Sequence, residues 1–307
     1  MGLYTFLYKI YFVKFKNKYI DSLYNRLIIR LLNILFPILF TLDPFKSKLN
    51  ARTIDNNLEL IVSLTTFPLR IKKVWMVIET ILRQKAKPDK IVLWLYADEF
   101  DGRQSLPRKL LRLEKRGLEI RFCGENLMPH KKYYYTMLEY PDANVITVDD
   151  DIFYPPDFMI KLLKYHHSYP EEIVCTIGRK IKIVDNKIYP YREWEHIKLD
   201  STPSFQTIPI GAGGVLFPAR SLPPESFDKE KITINALMNS DIWLKTMSLK
   251  AETRVVCMAG EYKKLFIPLL YRNDIKLMET NIGKGRNDRV LKKLMELYNV
   301  TAKNFQE

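Results

Sequence analysis

Between residues 58 and 148 the chain alternates short apolar runs with helix-patterned segments, and this alternation is the strongest constraint on its fold. Residues 58–64 (LELIVSL) read as a buried strand ending in the turn Thr65-Thr66-Phe67-Pro68. Over 71–85, Val74, Val77, Ile78, Ile81 and Leu82 keep the spacing of an amphipathic helix, which Pro88-Asp89 ends. A second strand follows at 90–96 (KIVLWLY), then a helix at 107–116 closed by Gly117, and a third strand at 118–122. Residues 131–140 read as a helix and 144–148 (NVITV) as a fourth strand. Strands separated by helices in this way predict βαβ units, hence an α/β chain with a mixed, mostly parallel sheet flanked by helices. Such sheets bind ligands at the carboxyl ends of their strands. The positions of most interest are therefore 65–70, 97–100, 123–125 and 149–151.

Residues 1–50 have a different character. Tyr4, Phe6, Tyr8, Tyr11, Phe12, Phe15 and Tyr19 interleave with lysines, and 27–40 is nearly all apolar. Eight Lys or Arg stand against two Asp here, a large share of the formal +14 carried by the 307 residues. Fourteen apolar residues fall short of the roughly 20 that span a bilayer. The expectation is a helical extension lying on an anionic membrane surface, with a helical hairpin packed on the main domain as the alternative. Asp43-Pro44 and the polar stretch 46–57 read as a linker into a domain over 58–307. With 47% hydrophobic and 27% charged residues over the whole chain, most of it has enough apolar material for a core. Three cysteines, Cys123, Cys175 and Cys257, form no close pair, which argues against a disulfide framework or a zinc site and for a cytoplasmic setting. No zinc-finger or RNP pattern accompanies the positive charge, so nucleic acid is not an expected partner.

The sharpest chemical signal is Asp149-Asp150-Asp151 directly after the fourth strand. Three adjacent carboxylates repel one another, and a hard dication with oxygen ligands would offset that repulsion. In an extended segment Asp149 and Asp151 face one side and Asp150 the other. The pair Asp149 and Asp151 is thus the expected metal site. The rigid apolar stretch Ile152-Phe153-Tyr154-Pro155-Pro156 would hold this loop still. A solvated acidic turn is the alternative.

The unit Ile146-Thr147-Val148-Asp149-Asp150-Asp151 resembles the DxD motif of GT-A glycosyltransferases. Residues 61–70 (IVSLTTFPLR) resemble the first nucleotide-binding strand and turn of family 2-like members, and 90–96 followed by Asp98 their second strand and its base-binding acid. Ala97-Asp98-Glu99-Phe100 departs from the Asp-Gly-Ser of typical members. His130-Lys131-Lys132-Tyr133-Tyr134-Tyr135 is similar to the helix before the DxD in bacterial polysaccharide-locus enzymes. Gly211-Ala212-Gly213-Gly214-Val215-Leu216 and Asn239-Ser240-Asp241-Ile242-Trp243 are similar to their acceptor-side half. The resemblance implies a GT-A-like (Rossmann-like) fold with a nucleotide-binding half at 58–151, an acceptor-side half at 152–275 and a C-terminal loop and helix at 276–307. It implies Mn2+ or Mg2+ as cofactor and a nucleotide-sugar donor, with a UDP-sugar expected. The acceptor would be a glycan or lipid-linked glycan, used in capsule, lipopolysaccharide or other surface glycan synthesis. The enzyme would sit at the cytoplasmic face of the membrane.

Individual residues take expected roles within this scheme. Thr65, Thr66 and Pro68 form the turn that would meet the nucleoside, and Arg70 would pair with a phosphate or stand as a solvated cation. Asp98 would meet the base, and Lys132, rather than Lys131, the diphosphate or the base edge. Asp150 would face the ribose or sugar, exchanging roles with Asp149 if the loop bends. Gly213 and Gly214 would allow close backbone approach to the sugar or form a tight turn. Asp241 would serve as catalytic base for inverting transfer, or as a helix N-cap. His166 and His167 read as solvated. Residues 281–289 (NIGKGRNDR) read as a mobile loop able to close on the diphosphate. Tyr189, Tyr191 and Trp194 read as sugar-stacking or core. Two other classes compete: a Mg2+-dependent nucleotidyltransferase, which would need a Gly-rich basic loop after the first strand, and a basic membrane- or nucleic-acid-binding module without catalysis.

Overall fold

The computed structural model describes residues 2–42, 49, 58–258, 266–271, 283 and 285–306. Seven strands form the central sheet: β1 (Leu60–Thr65), β2 (Lys90–Tyr96), β3 (Leu118–Cys123), β4 (Asn144–Thr147), β5 (Ile173–Cys175), β6 (Val215–Phe217) and β7 (Val255–Cys257). Their order is β7-β5-β6-β4-β1-β2-β3. β1 runs parallel to β2 and β4, β2 to β3, and β7 to β5, while β6 is antiparallel to both of its neighbours. The sheet is thus mixed and mostly parallel, as the strand–helix alternation implies. Helices on its two faces are α3 (Val74–Leu82), α4 (Arg108–Leu111), α5 (Lys131–Glu139), α6 (Phe158–Ser168), α7 (Lys229–Asn235), α8 (Ser240–Lys250) and α9 (Arg286–Tyr298). They follow the N-terminal helices α1 (Leu3–Tyr11) and α2 (Lys18–Leu42).

The period of two along each strand divides the core into two layers. Leu60, Val62, Leu64, Ile91, Leu93 and Ile146 face a layer shared with α1, α2, α3 and α6. Ile173, Cys175, Val215 and Phe217 face the other, with α5, α8 and α9. Gly117 closes the turn after α4 in the left-handed region (φ 107°), which only glycine adopts at little cost.

Several expectations shift. The helix expected at 71–85 is regular only over Val74–Leu82, after a turn that starts at Pro68. Strands β5 and β7 are three residues each, too short for periodicity to reveal. His166 is buried among the inward residues of α6 and meets the Asn144 amide at 3.1 Å, so only His167 is solvated. Asn287 and Asp288 belong to α9 instead of a loop: the Asn239 amide donates to Asn287 at 2.5 Å, and Asp288 accepts from the Tyr191 amide at 2.6 Å. Residues 281, 282 and 284 of that expected loop, and nearly all of the expected linker 46–57, lie outside the described residues. Tyr191 and Trp194 are buried in the second layer.

The N-terminal extension is both packed and exposed. Tyr4, Tyr8 and Tyr11 of α1 and Ile28, Leu32, Phe36 and Phe40 of α2 are buried against the domain, following helical spacing on one face of each helix. Burying Leu32 and Phe36 completely contributes about 1.5–3 kcal/mol each. The opposite face of α2 shows Leu23, Leu27, Leu31, Ile34 and Ile38 to solvent. The helix is 25 residues long, nearly twice the apolar run read from sequence, and has the length and hydropathy to cross a membrane. Its buried face is occupied by the domain.

Candidate active site

The carboxyl ends of β1 and β4 are adjacent, because Ser63 pairs with Thr147 in a parallel register. The segments leaving them, 66–70 and 148–151, therefore meet at one edge. The chain bends at Asp150 and Asp151 instead of staying extended. The alternation that would pair Asp149 with Asp151 is lost for that reason. Asp150 and Asp151 converge instead on one guanidinium nitrogen of Arg70, at 2.6 and 2.9 Å. Asp149 turns the other way.

Asp150 is 7% exposed and also accepts from the Thr66 hydroxyl at 2.5 Å. Burial pushes its carboxyl upward, and Arg70 and Thr66 work against that push without cancelling it. Arg70 lies over the rings of Phe67 and Tyr271, which leaves its plane little freedom.

The second group of charges is built from α5, the segment after β4, the 211–214 turn and the start of α8. The Lys132 ammonium donates to Asp149 at 2.9 Å and to the Gly211 carbonyl at 3.3 Å. Burial pulls its pKa down, but Asp149 and Asp241 outweigh burial and the net direction is upward. Asp149 also accepts from the Gly213 amide at 3.2 Å, and its own amide donates to the Tyr154 hydroxyl at 2.8 Å. Asp241 accepts from the Gly211 amide at 3.2 Å. Burial raises its carboxyl above the ordinary 3.8, with Lys132 as the main opposing influence. A β-carbon on Gly211 would lie 2.8 Å from an Asp241 oxygen and 3.2 Å from the Lys132 nitrogen, so a side chain there would displace both. Gly213 and Gly214 adopt φ of 89° and 119°, and β-carbons there would press on Phe266 and Phe158. A small cleft lined by Lys132, Thr147, Gly211, Ser240 and Asp241 opens at this point.

The other expected residues lie further out. The Thr65 hydroxyl donates to the Trp94 carbonyl at 2.9 Å, inside the sheet. Pro68 is exposed at the start of its turn. Asp98 is exposed on a single turn after β2 and accepts from the Tyr96 hydroxyl at 2.6 Å. Lys131 points away, to Asn126 at 2.7 Å. His130 is fully buried between the Tyr133 hydroxyl and the Ala236 carbonyl, and burial holds it neutral with a pKa of about 4. Two residues at the site carried little sequence signal: Tyr154, which accepts from the Asp149 amide, and Tyr271, whose hydroxyl donates to the Asp150 carbonyl at 3.3 Å.

The repulsion within the triplet is already partly offset by the protein's own cations. Arg70 and Lys132 already supply two positive charges to the three acids. Among the described residues no group of three or more His, Cys, Asp or Glu side chains is disposed to hold a metal ion. The donor set fits a dication only as a partial cage. Asp149 and Asp151 keep side-chain exposures of 23% and 31% and offer hard oxygens, and the remaining ligands would have to come from a diphosphate and water.

No protein-family model and no curated protein matches the chain. Among solved structures it is similar to S. aureus TarS, with 12% identity over 68% of this chain and 36% of TarS, at a TM-score of 0.43. It is also similar to TarS 1–349 in complex with UDP, with 11% identity over 78% of this chain and 71% of that one, at a TM-score of 0.44. A third structure is the mannosyltransferase PcManGT from Pyrobaculum calidifontis in complex with GDP-Man and Mn2+, with 14% identity over 55% of this chain and 46% of that one, at a TM-score of 0.33. The chain thus spans about a third of TarS and under half of PcManGT. At these levels the fold assignment rests on the sheet itself.

Proposed function

We propose that this protein is a glycosyltransferase that moves a sugar from a nucleotide-sugar, with a UDP-sugar as first candidate, to a glycan or lipid-linked glycan hydroxyl. The observation that carries the reading is the arrangement around Lys132: one buried ammonium serves two carboxylates, Asp149 beside the β4 edge and Asp241 across Gly211. A carboxyl raised by burial, held by long hydrogen bonds and facing a cleft is suited to take a proton from an attacking hydroxyl. The acceptor oxygen would bond to the anomeric carbon as the bond to the diphosphate breaks, with its proton passing to Asp241 and the configuration inverted.

Arg70 and Lys132 would face the diphosphate, the planar guanidinium in bidentate fashion. A dication would reach the exposed oxygens of Asp149 and Asp151 only by displacing their Lys132 and Arg70 partners, and would then add positive charge where the leaving diphosphate gains negative charge. Thr65, Thr66, Pro68 and Asp98 would bound the nucleoside, and Gly213 and Gly214 would let the sugar approach the backbone. In this reading residues 58–151 bind the nucleotide and 152–275 the acceptor, with 276–307 closing the fold. The helices within residues 1–50 would lie on the anionic cytoplasmic face of a membrane, where three free thiols stay reduced. Calorimetry with UDP, GDP and CDP, with and without Mn2+, followed by donor hydrolysis assays, tests the donor assignment. Unchanged turnover in Asp241→Asn would sink the catalytic one.

A further inference from the structure

The aspartate loop is bolted to the N-terminal helices by a run of hydrogen bonds. From the buried face of α1, the Tyr8 hydroxyl donates to the Phe153 carbonyl at 2.7 Å and the Tyr4 hydroxyl donates to the Tyr154 carbonyl. Residues Ile152–Phe153 pair with Ile267–Pro268 as a two-stranded ladder, and the Ile267 amide donates back to the Tyr8 hydroxyl at 3.3 Å. From α2, the Asn33 amide donates to the Pro268 carbonyl at 2.9 Å, and Asn33 accepts from the Leu270 amide at 2.9 Å. Each member of the triplet is one step from this clamp. Asp149 is held by the Tyr154 hydroxyl, the Asp150 carbonyl accepts from Tyr271, and the Asp151 carbonyl accepts from the Leu269 amide at 2.7 Å.

The outer side of the same helices is an apolar stripe in water. Leu23, Leu27, Leu31, Ile34 and Ile38 are each about half exposed; Lys18, Arg26 and Arg30 are exposed on the same helix, Lys14 and Lys16 are exposed in the connection before it, and Asp21 is the single acid of the two helices. Apolar side chains beside cations match an anionic bilayer surface, which takes the first into its acyl boundary and the second among its headgroups. A helix pair with its apolar side in water opens locally more often than one whose side is covered.

We infer that docking on an anionic bilayer and ordering of the Asp149–Asp151 loop are one coupled event, transmitted through Tyr4, Tyr8 and Asn33. The inference rests on the membrane half of the proposed function and adds a regulatory consequence: the Asp149–Asp151 loop opens less often when the helices are seated on lipid.

Amide hydrogen exchange of the full chain tests this, with vesicles of phosphatidylglycerol, vesicles of phosphatidylcholine, and no lipid. Phosphatidylglycerol is expected to slow exchange in α1 and α2 and also, on the order of tenfold, across 149–154 and 267–271. In the double variant Tyr4→Phe and Tyr8→Phe the vesicles still bind and the slowing at 149–154 is lost. In Leu23→Glu with Leu27→Glu, both on the solvent side, vesicle binding fails and the loop exchanges at its lipid-free rate. Vesicle binding with no change at 149–154 overturns the coupling while leaving the membrane reading intact. No binding to either lipid overturns the membrane reading itself. Protection that rises with protein concentration without lipid assigns the stripe to a second copy of the chain and overturns both.

Discussion

Asp150 and Asp241 are both acids whose carboxyls burial pushes toward the protonated form, and their surroundings differ in one respect. Asp150 is tied by short bonds to the Thr66 hydroxyl and the Arg70 guanidinium, 2.5 and 2.6 Å. Asp241 has a Gly211 amide at 3.2 Å and the Ser240 hydroxyl at 3.5 Å, with its compensating charge supplied by a lysine that Asp149 also uses. A carboxylate with strong fixed donors holds a loop in place. One with weak donors and a shared cation can still exchange a proton. Burial does not separate the two roles; the hydrogen-bond partners do.

The largest test of this contrast exchanges the two losses. Asp241→Asn should cut transfer on the order of a thousandfold, the range of a lost general base, and leave the unfolding midpoint near that of the parent. Asp150→Ala should instead destabilise the fold by about 3 kcal/mol, because it removes a partner from a nearly buried guanidinium. Denaturant titration beside a turnover assay reads both. If Asp150→Ala kept full stability, the division of roles would be lost.

The glycines extend the contrast at somewhat lower magnitude. Gly214 has φ of 119°, and a β-carbon there would stand 2.6 Å from the Phe158 ring. Gly214→Ala is expected to cost about 2–3 kcal/mol of stability from backbone strain and overlap. Gly211 has an ordinary φ, and its added methyl would press on Asp241 and Lys132, not on the core. Gly211→Ala should therefore lower kcat with little change in Tm, and equal losses of stability in the two variants would remove the distinction.

How much of this was legible in the sequence depends on which physical signal carried each part. The strand at Lys90–Tyr96 is legible to the residue because six apolar residues after Lys90, preceded by Pro88-Asp89 and followed closely by Asp98-Glu99, have few other solutions. β5 and β7 are not legible because three residues carry no period. Among the candidate site residues, Thr66, Arg70, Asp149 and Asp150 stand out by position after a strand, and Lys132 and Asp241 through the family resemblance. Their partners do not, since which acid meets Arg70 depends on a bend at Asp150 that alternation assumes away. The clamp from Tyr4 and Tyr8 was visible only as a helical spacing of tyrosines. Nothing in one chain's sequence says that such a face will meet residues 150 positions away.

Charge sharing at Lys132 makes a pH prediction. The folded protein holds the Asp150 and Asp241 protons to higher pH than the unfolded chain does, so stability falls as pH rises from the ordinary 3.8 through the raised folded values. Asp241→Asn should flatten its part of that slope. In the activity profile the base must be ionised, so the acid limb should lie above the range of an ordinary aspartate. Lys132→Met removes the main influence lowering Asp241, and its acid limb should move further up in pH. A limb that stayed in place would separate Asp241 from the proton transfer.

The smallest effect belongs to Asp98, the exposed acid on the turn after β2. Asp98 is exposed, and its bond to the Tyr96 hydroxyl is of a kind that contributes little to stability in water. Asp98→Ala should leave the unfolding free energy within about 0.5 kcal/mol of the parent. If Asp98 accepts from the base of the donor nucleotide, the same variant should weaken UDP binding on the order of tenfold, the worth of one hydrogen bond to a charged group. The same titration with GDP then sharpens the contrast between rim and centre. Loss confined to one nucleotide marks Asp98 as reading the base, and equal loss for both marks it as a contributor to the general field of the cleft. No loss for either would confine donor recognition to the Arg70 and Lys132 groups.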